Sequence, residues 1–226
     1  MRLLITGGTG VLGRALLPIA RAAGHDIHAP SHAELDLFDP VAVAAAVRDV
    51  DAVMHLATRI PSLDQLDDPA AWRENDRLRT DAARILVDAS LAAGVDSFIQ
   101  PTVAFVYPEG GPTTEETPVG DVLPATRSAL VAEHETARFT QGGRHGVVLR
   151  LGLLDGPGTG NDEPLSEWGA TLHVDDAALA LLAALSLPAG IYNVCRDDEA
   201  ISNRKFTAAV GWRPASPKTH SGFVGL

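Results

Sequence analysis

Short apolar runs alternate with longer stretches in which apolar residues recur at helical spacing. Arg2–Ile5 (RLLI) is closed by the glycine-rich TGGTG, and an apolar run bounded by turn residues reads as a buried strand. From Val11 to Ala23 the spacing turns helical and stops at Gly24, a residue suited to end a helix. Asp26–Ala29 and Ala33–Leu37 read as short strands, and Pro40–Arg48 as an alanine-rich helix with proline in its first turn. Asp51–Ala57 (DAVMHLA) is a buried strand, Arg73–Ala93 a long helix ending at Gly94, and Ser97–Gln100 the next strand. Beyond a loop at 107–124 come helix Thr126–Gln141 and strand Gly146–Leu151. Helix Asp175–Leu187, strand Ile191–Val194 and a final helix near Asn203–Val210 complete the order. Strands alternating with helices predict an α/β fold, a doubly wound parallel sheet (Rossmann) with helices on both faces.

Composition narrows this picture. A chain of 226 residues is long enough for one domain with a substantial core. No linker breaks it, so 1–226 is expected to form a single dinucleotide-binding domain. A formal charge of −11 excludes a general nucleic-acid or anionic-membrane surface, both of which need a basic footprint. Cys195 stands alone, which excludes an internal disulfide and any multi-thiolate metal site, and is expected to be a small buried apolar residue. The histidines and acids show no metal-binding spacing, and no GxSxG elbow points to hydrolase chemistry. No apolar run approaches the ~20 residues of a membrane span, and MRLLITGGTG reads as a strand and turn, not a signal peptide. The expectation is a soluble cytoplasmic protein.

Chemistry enters at Thr6–Gly13 (TGGTGVLG), where Gly7, Gly10 and Gly13 have GxxGxxG spacing. Such glycines make a tight turn, admit a pyrophosphate against the backbone and let helix and strand pack closely. Val11, Leu12 and Gly13 then begin a helix whose free N–H groups and partial positive charge favour an anion. Placed in the first strand–turn–helix of an alternating chain, the triplet predicts dinucleotide binding.

Further motifs run nearly end to end: LDLFD (Leu35–Asp39), VMHLAT (Val53–Thr58), HVDD (His173–Asp176), IYNVC (Ile191–Cys195) and GWRP (Gly211–Pro214). With TGGTGVLG they resemble the extended short-chain dehydrogenase/reductases, the NAD-dependent epimerase/dehydratase-like group. The resemblance implies that Asp36 and Leu37 flank the adenine. It implies that His55, Leu56, Ala57 and Thr58 line the ribose and nicotinamide side. At the end of the second strand an NAD enzyme usually places an acid for the ribose 2′-hydroxyl. Here that place falls on Ser31, with His32 beside it, and both could bond a 2′-phosphate. Arg14, just after Gly13, could add charge there. The cofactor expected on these grounds is NADPH, with NADH as the alternative.

The resemblance also exposes a gap. Members of the group carry a tyrosine that protonates the carbonyl oxygen and, four residues on, a lysine that lowers its pKa, general acid catalysis with an electrostatic clamp. Aligned on that motif, PATRSALVAE keeps Pro124, Ser128 and Glu133 but places Ala125 and Ala129 on the dyad. The only tyrosines are Tyr107 and Tyr192 and the only lysines Lys205 and Lys218, so no such pair exists anywhere. The usual strand serine falls on Val103, with Thr102 one residue away and so on the other face of the strand unless Pro101 alters the register. Thr102 and Ser128 remain as candidate catalytic hydroxyls, and Tyr107 and Trp168 as candidate substrate contacts. His134, Glu115 and Glu116 are expected to be exposed, and His173 to precede a helix capped by Asp175 or Asp176. The segment between Arg150–Gly160 and HVDD is short for the group, giving a reduced C-terminal substrate-binding region. Loops 107–124 and 155–172, with the C-terminal part, shape an open cleft or one completed by a second subunit, as in a homodimer.

Three functions fit these residues. The first is an NAD(P)H-dependent ketoreductase of atypical mechanism, its proton supplied by water or by the small-molecule substrate itself. An aromatic polyketide-like ketone bonded to its own neighbouring phenol would suit it, by analogy with atypical reductases of the group. The second is a non-catalytic dinucleotide sensor or scaffold. The third is a cyclase, lyase or epimerase without net redox change.

Overall fold

The computed structural model describes residues 1–61, 65–108, 112–120, 126–164, 170–196 and 200–215. In chain order the elements are β1 (Arg2–Thr6), α1 (Val11–Ala22), β2 (Asp26–His28), α2 (Pro40–Ala46) and β3 (Ala52–His55). A composite helix comes next, built of α3 (Arg73–Arg77), a π turn (Leu78–Ala82) and α4 (Ala83–Ala93). Then come β4 (Ser97–Val103), α5 (Arg127–Gln141), β5 (His145–Leu151), β6 (Leu153–Asp155), β7 (Thr171–His173), α6 (Val174–Ala183), β8 (Gly190–Val194) and α7 (Arg204–Val210). Six strands form one parallel sheet in the order β2-β1-β3-β4-β5-β8, and β6 and β7 form a separate parallel pair. β2 and β3 flank β1 on opposite sides, which opens a crevice at the carboxyl ends of β1 and β3 where doubly wound sheets bind their ligands.

The period of two along the strands builds two cores. Leu3, Ile5, Met54, Ile99 and Leu149 face α1, α6 and α7, meeting Leu16, Ala177, Leu181 and Phe206. Leu4, Val53 and Phe98 face the other way, against Val43 of α2, Leu86 and Val87 of α4 and Phe139 of α5. Phe98 and Phe139 lie with ring centroids 5.6 Å apart, within the range of favourable aromatic pairing. Among the described residues no helix is long and apolar enough to cross a membrane.

Two sequence expectations need correction. Ala33–Leu37 is not a strand but a turn: Glu34 and Leu35 both donate backbone N–H to Ser31 O, and Ser31 donates back to the Glu34 carboxylate. The apolar alternation of that segment reflects Leu35, buried in the core with residues of α2 and α4, and Leu37, partly buried against the same cluster. The cap of α6 is not Asp175 or Asp176 but His173, whose Nδ1 accepts from Asp175 N at 3.2 Å. Asp176 is buried and accepts from Ala215 N, holding the segment after α7 to α6. Short β6 and β7, three residues each, carry too little pattern to be read from the sequence.

Candidate functional site

The glycine loop is shaped by close backbone approach. Gly7 has φ +73°, and a Cβ there would lie 2.6 Å from Ala57 N, so the loop rests directly on the residues leaving β3. A Cβ on Gly13 would lie 2.4 Å from Gly7 O, so α1 starts flush against the loop. Gly10 caps α1 without a side-chain hydrogen bond, and the first turn holds no acid. Its N–H groups and dipole thus face the crevice unopposed, an arrangement that fits a pyrophosphate. Arg14 is exposed and folds back over the loop, Nη1 donating to Thr9 O at 2.7 Å. A Cβ on Gly158 would meet its Nη2 at 3.3 Å, so Arg14 lies between the glycine loop and the 155–172 loop.

At the end of β2 the structure adds a residue that the sequence reading left out. Ser31 N and Oγ both donate to Glu34 Oε2 at 2.8 Å, and these bonds hold the Glu34 carboxyl below the usual carboxylate range. The expectation that Ser31 is open to bond a 2′-phosphate is therefore corrected, since both its donors are taken by a carboxylate. Glu34 lies three positions along, and only the turn brings it back. His32 is exposed beside it, and Asp36 is exposed with Oδ1 accepting from Phe38 N. Leu37 is half-buried in the same loop.

Leu56 is buried, Ala57 half-buried and Thr58 exposed, in sequence away from β3. His55 departs from its expected place on the cofactor wall, for it is fully buried with both ring nitrogens engaged. Leu78 O can only accept, so Nε2 carries the proton and donates to it at 3.0 Å, leaving Nδ1 to accept from Thr6 Oγ1 at 2.7 Å. Burial holds the imidazole neutral, pulling it down to about 4, and the charge of Arg79 pushes the same way. The folded state therefore binds fewer protons at His55 than the unfolded state. Its contribution is intact above the unfolded value near 6.5 and is lost as pH falls toward 4. About 3 kcal/mol of stability should disappear over that window. Urea denaturation at pH 7 and pH 4 should show this loss in the wild type and a smaller one in His55→Gln.

Where the lysine of the dyad would stand, α5 carries an alanine. Ala129 is fully buried, and Ala125 lies outside the described residues, as does Trp168. Strand β4 pairs with β5 without a bulge from Ser97 to Val103, so Pro101 does not shift the register. Thr102 accordingly faces α5, where its hydroxyl donates to Glu133 Oε1 at 2.9 Å. Glu133 also takes Arg150 Nε at 2.9 Å and Nη2 at 2.6 Å, a buried two-pronged ion pair. The Arg150 guanidinium covers the Tyr107 ring at 5.0 Å, and Tyr107 donates to Asn193 Oδ1 at 2.7 Å. Burial pushes the Tyr107 phenol up, the opposite of what an activated proton donor needs. Glu115 is not free, because its Oε1 accepts from Asn193 N at 2.7 Å. Glu116 and His134 are exposed. Ser128 is buried, and its hydroxyl has no partner among the described residues. Sequence reasoning kept Glu133 only as a motif match. Its partner Arg150 lies 17 positions away on another element, and no periodicity joins the two.

These features can be set beside known proteins. The 3-diazoavenalumate denitrifying reductase of a Streptomyces species is 32% identical across 97% of this chain and 81% of its own length. The 2-alkyl-3-oxoalkanoate reductase of Stenotrophomonas maltophilia is 28% identical over 70% of this chain and 52% of its own length. In fold, UDP-N-acetylglucosamine 4-epimerase from Bacillus cereus superposes with a TM-score of 0.81 at 18% identity, covering 96% of this chain and 94% of that one. RMD from Pseudomonas aeruginosa, complexed with NADPH, gives 0.77 at 23% identity, covering 94% and 93%. Residues 3–167 match the sequence profile described as the NAD dependent epimerase/dehydratase family, and with most of its length so matched the chain belongs to that family.

Proposed function

We propose that this chain is an NAD(P)H-dependent reductase of a small carbonyl compound, working without a general acid from the protein. The carrying observation is the alanine on α5 where the lysine of the dyad would stand: Ala129 is sealed in the core while the glycine loop remains built for a dinucleotide. The two tyrosines are committed elsewhere, Tyr107 to Asn193 and Tyr192 to Pro188 O. Lys205 donates to Ile191 O, on the β8 edge. Both curated relatives are named as reductases, one of a 3-oxo compound.

A nicotinamide bound in the crevice supplies the hydride. The residues of this chain supply orientation, which by itself accounts for a large share of such accelerations. Loop residues Gly7–Leu12 hold the pyrophosphate, and Leu56–Thr58 border the path from the glycine loop towards α5. Thr102 is engaged by Glu133, so Ser128 is the hydroxyl left to orient a substrate oxygen. The proton then comes from water or from the substrate, as in an aromatic polyketide-like ketone with a neighbouring phenol. Losing a protein acid costs roughly 10²–10⁴-fold, which a pre-polarised carbonyl offsets.

A second reading rests on the Streptomyces relative, whose name specifies a diazo substrate. An aryl diazonium accepts hydride at its terminal nitrogen and then loses dinitrogen, leaving the arene. Such a cation needs no acid at all, which suits the same α5.

For the cofactor, Arg14 and His32 favour NADPH, but the Glu34 carboxylate occupies both Ser31 donors and would repel a 2′-phosphate. That geometry tilts the preference to NADH. Glu34→Ala should move the NADPH-to-NADH ratio of kcat/KM upward by about tenfold, worth about 1.4 kcal/mol.

The test measures the absorbance of reduced nicotinamide against a hydroxy-aryl ketone, a 2-alkyl-3-oxo acid and an aryl diazonium salt. Oxidation with either of the first two supports the carbonyl reading, and oxidation with the third alone supports the diazo reading. Tight cofactor binding with no oxidation by any would make the protein a dinucleotide sensor. Ser128→Ala should slow turnover without abolishing it.

A further inference from the structure

Three arginines are buried among the described residues: Arg79, Arg150 and Arg196. Arg150 is held by Glu133 and Arg196 by Asp155, each through two nitrogens. Arg79 is 4% exposed and has neither an ion pair nor a hydrogen bond among the described residues, and its Nε is sealed without a partner. Asp76, one turn earlier, favours its charge from beyond ion-pair distance. Burial brings the group down only to about 10, so it stays a cation at neutral pH. A buried charge left unpaired is costly unless something else completes it.

Its position shows where the partner would arrive. Arg79 lies in the π turn, next to Leu78, whose carbonyl takes the His55 proton at the end of β3. One turn back, Asn75 Oδ1 accepts from Arg59 N, tying this helix to the loop that leaves β3 and touches the glycine loop. The π turn also packs against α5, which carries Ser128. Among the described residues, four more buried polar atoms lack partners in this helix, in β4 and in α5: Asn75 Nδ2, Asp76 Oδ1, Gln100 Oε1 and Ser128 Oγ. Gln100 is joined to β3 by Nε2 donating to His55 O at 3.4 Å. A packed interior rarely leaves so many groups unsatisfied unless a ligand completes them.

We infer that Arg79, with Ser128 on the facing helix, receives an anionic oxygen of the substrate, and that the substrate is a carboxylate. The inference rests on the reductase reading above, which places the substrate between the residues leaving β3 and Ser128 of α5. A carboxylate matches the planar guanidinium fork with two oxygens. Its anchoring there would orient a substrate for which the protein supplies no acid, and it would give a strongly acidic protein one cationic point to draw an anion into its cleft.

The test is calorimetric titration of hexanoate and cinnamate, each beside its methyl ester, into protein saturated with NAD⁺, where no turnover occurs. The carboxylates should bind at least tenfold more tightly than the esters. Arg79→Gln should erase that difference and Arg79→Lys keep part of it, with NAD⁺ affinity unchanged. Arg79→Gln should also raise the Tm of the free protein, because it removes an unpaired buried charge; a purely structural arginine would lower it. Equal binding of acid and ester, absence of carboxylate binding at millimolar concentration, a preference that survives Arg79→Gln, or a lowered Tm overturns the inference. Loss of NAD⁺ affinity in Arg79→Gln would assign the guanidinium to the cofactor instead. Carboxylate preference without nicotinamide oxidation by any carbonyl compound or diazonium salt would sink the reductase reading and leave this one standing.

Discussion

Glu133→Ala should cost about 3–5 kcal/mol of stability, since it strands the Arg150 guanidinium in the core without its counter-charge. Arg150 is 3% exposed and Glu133 7%, so water cannot replace the lost bonds. The damage should spread along the chain of contacts that Glu133 anchors. Thr102 loses its acceptor, and Arg150 is freed to leave the Tyr107 ring and with it the Tyr107–Asn193 bond. Glu133→Gln keeps the shape and one acceptor and should cost less. The double variant Glu133→Leu with Arg150→Met removes both charges and should recover most of the loss, because desolvating an ion pair consumes much of what the pair returns. Urea denaturation of the three variants measures this. Equal loss in Glu133→Ala and the double variant would mean that packing, not the unpaired charge, carries the effect.

Gly13→Ala should weaken NADH binding by about 10²-fold, the equivalent of roughly 3 kcal/mol at the upper end of overpacking costs. The added Cβ would meet Gly7 O at 2.4 Å and Gly8 Cα at 2.5 Å. Both are backbone atoms, so neither can rotate aside, and α1 must back away from the loop whose N–H groups it presents. Gly10→Ala is the informative contrast. Its Cβ meets only Gly7 O, at 3.1 Å, so the fold should survive while the pyrophosphate approach is narrowed. Fluorescence titration with NADH, beside thermal melts, should show binding lost in both variants and Tm lowered chiefly in Gly13→Ala.

The order of strands and helices and the glycine loop were legible because each rests on a local pattern: apolar runs, helical spacing and a turn motif. The features that shape the site were hidden for definite reasons. Glu34 is an acid only three residues past Ser31, but the intervening segment reads as a strand, which would point it elsewhere; the turn reverses that. Glu133 and Arg150 meet across a helix and a strand, a distance that no local pattern spans. His173 caps a helix through its imidazole, where the neighbouring acids are the residue types that sequence favours. Arg79 sits in what reads as one continuous helix from Arg73 to Ala93, and helical spacing cannot reveal a π turn within it. The absence of the tyrosine and lysine, by contrast, needed only counting.

That π turn makes the position of Arg79 sensitive to chain length rather than to residue type. A π turn carries one residue more than the α-helical wind it interrupts. Deleting a single residue between 78 and 82 would therefore restore an even α-helix, leaving α3 and α4 on their present faces and re-aiming only the side chains within the turn. Leu86 and Val87 could keep their places in the core, while Arg79 would swing away from the crevice. A lineage could thus gain or lose this cation by one codon's insertion or deletion, leaving the rest of the fold intact. Gaps within this helix, more than substitutions, are where relatives of this chain should divide by the charge of their ligands.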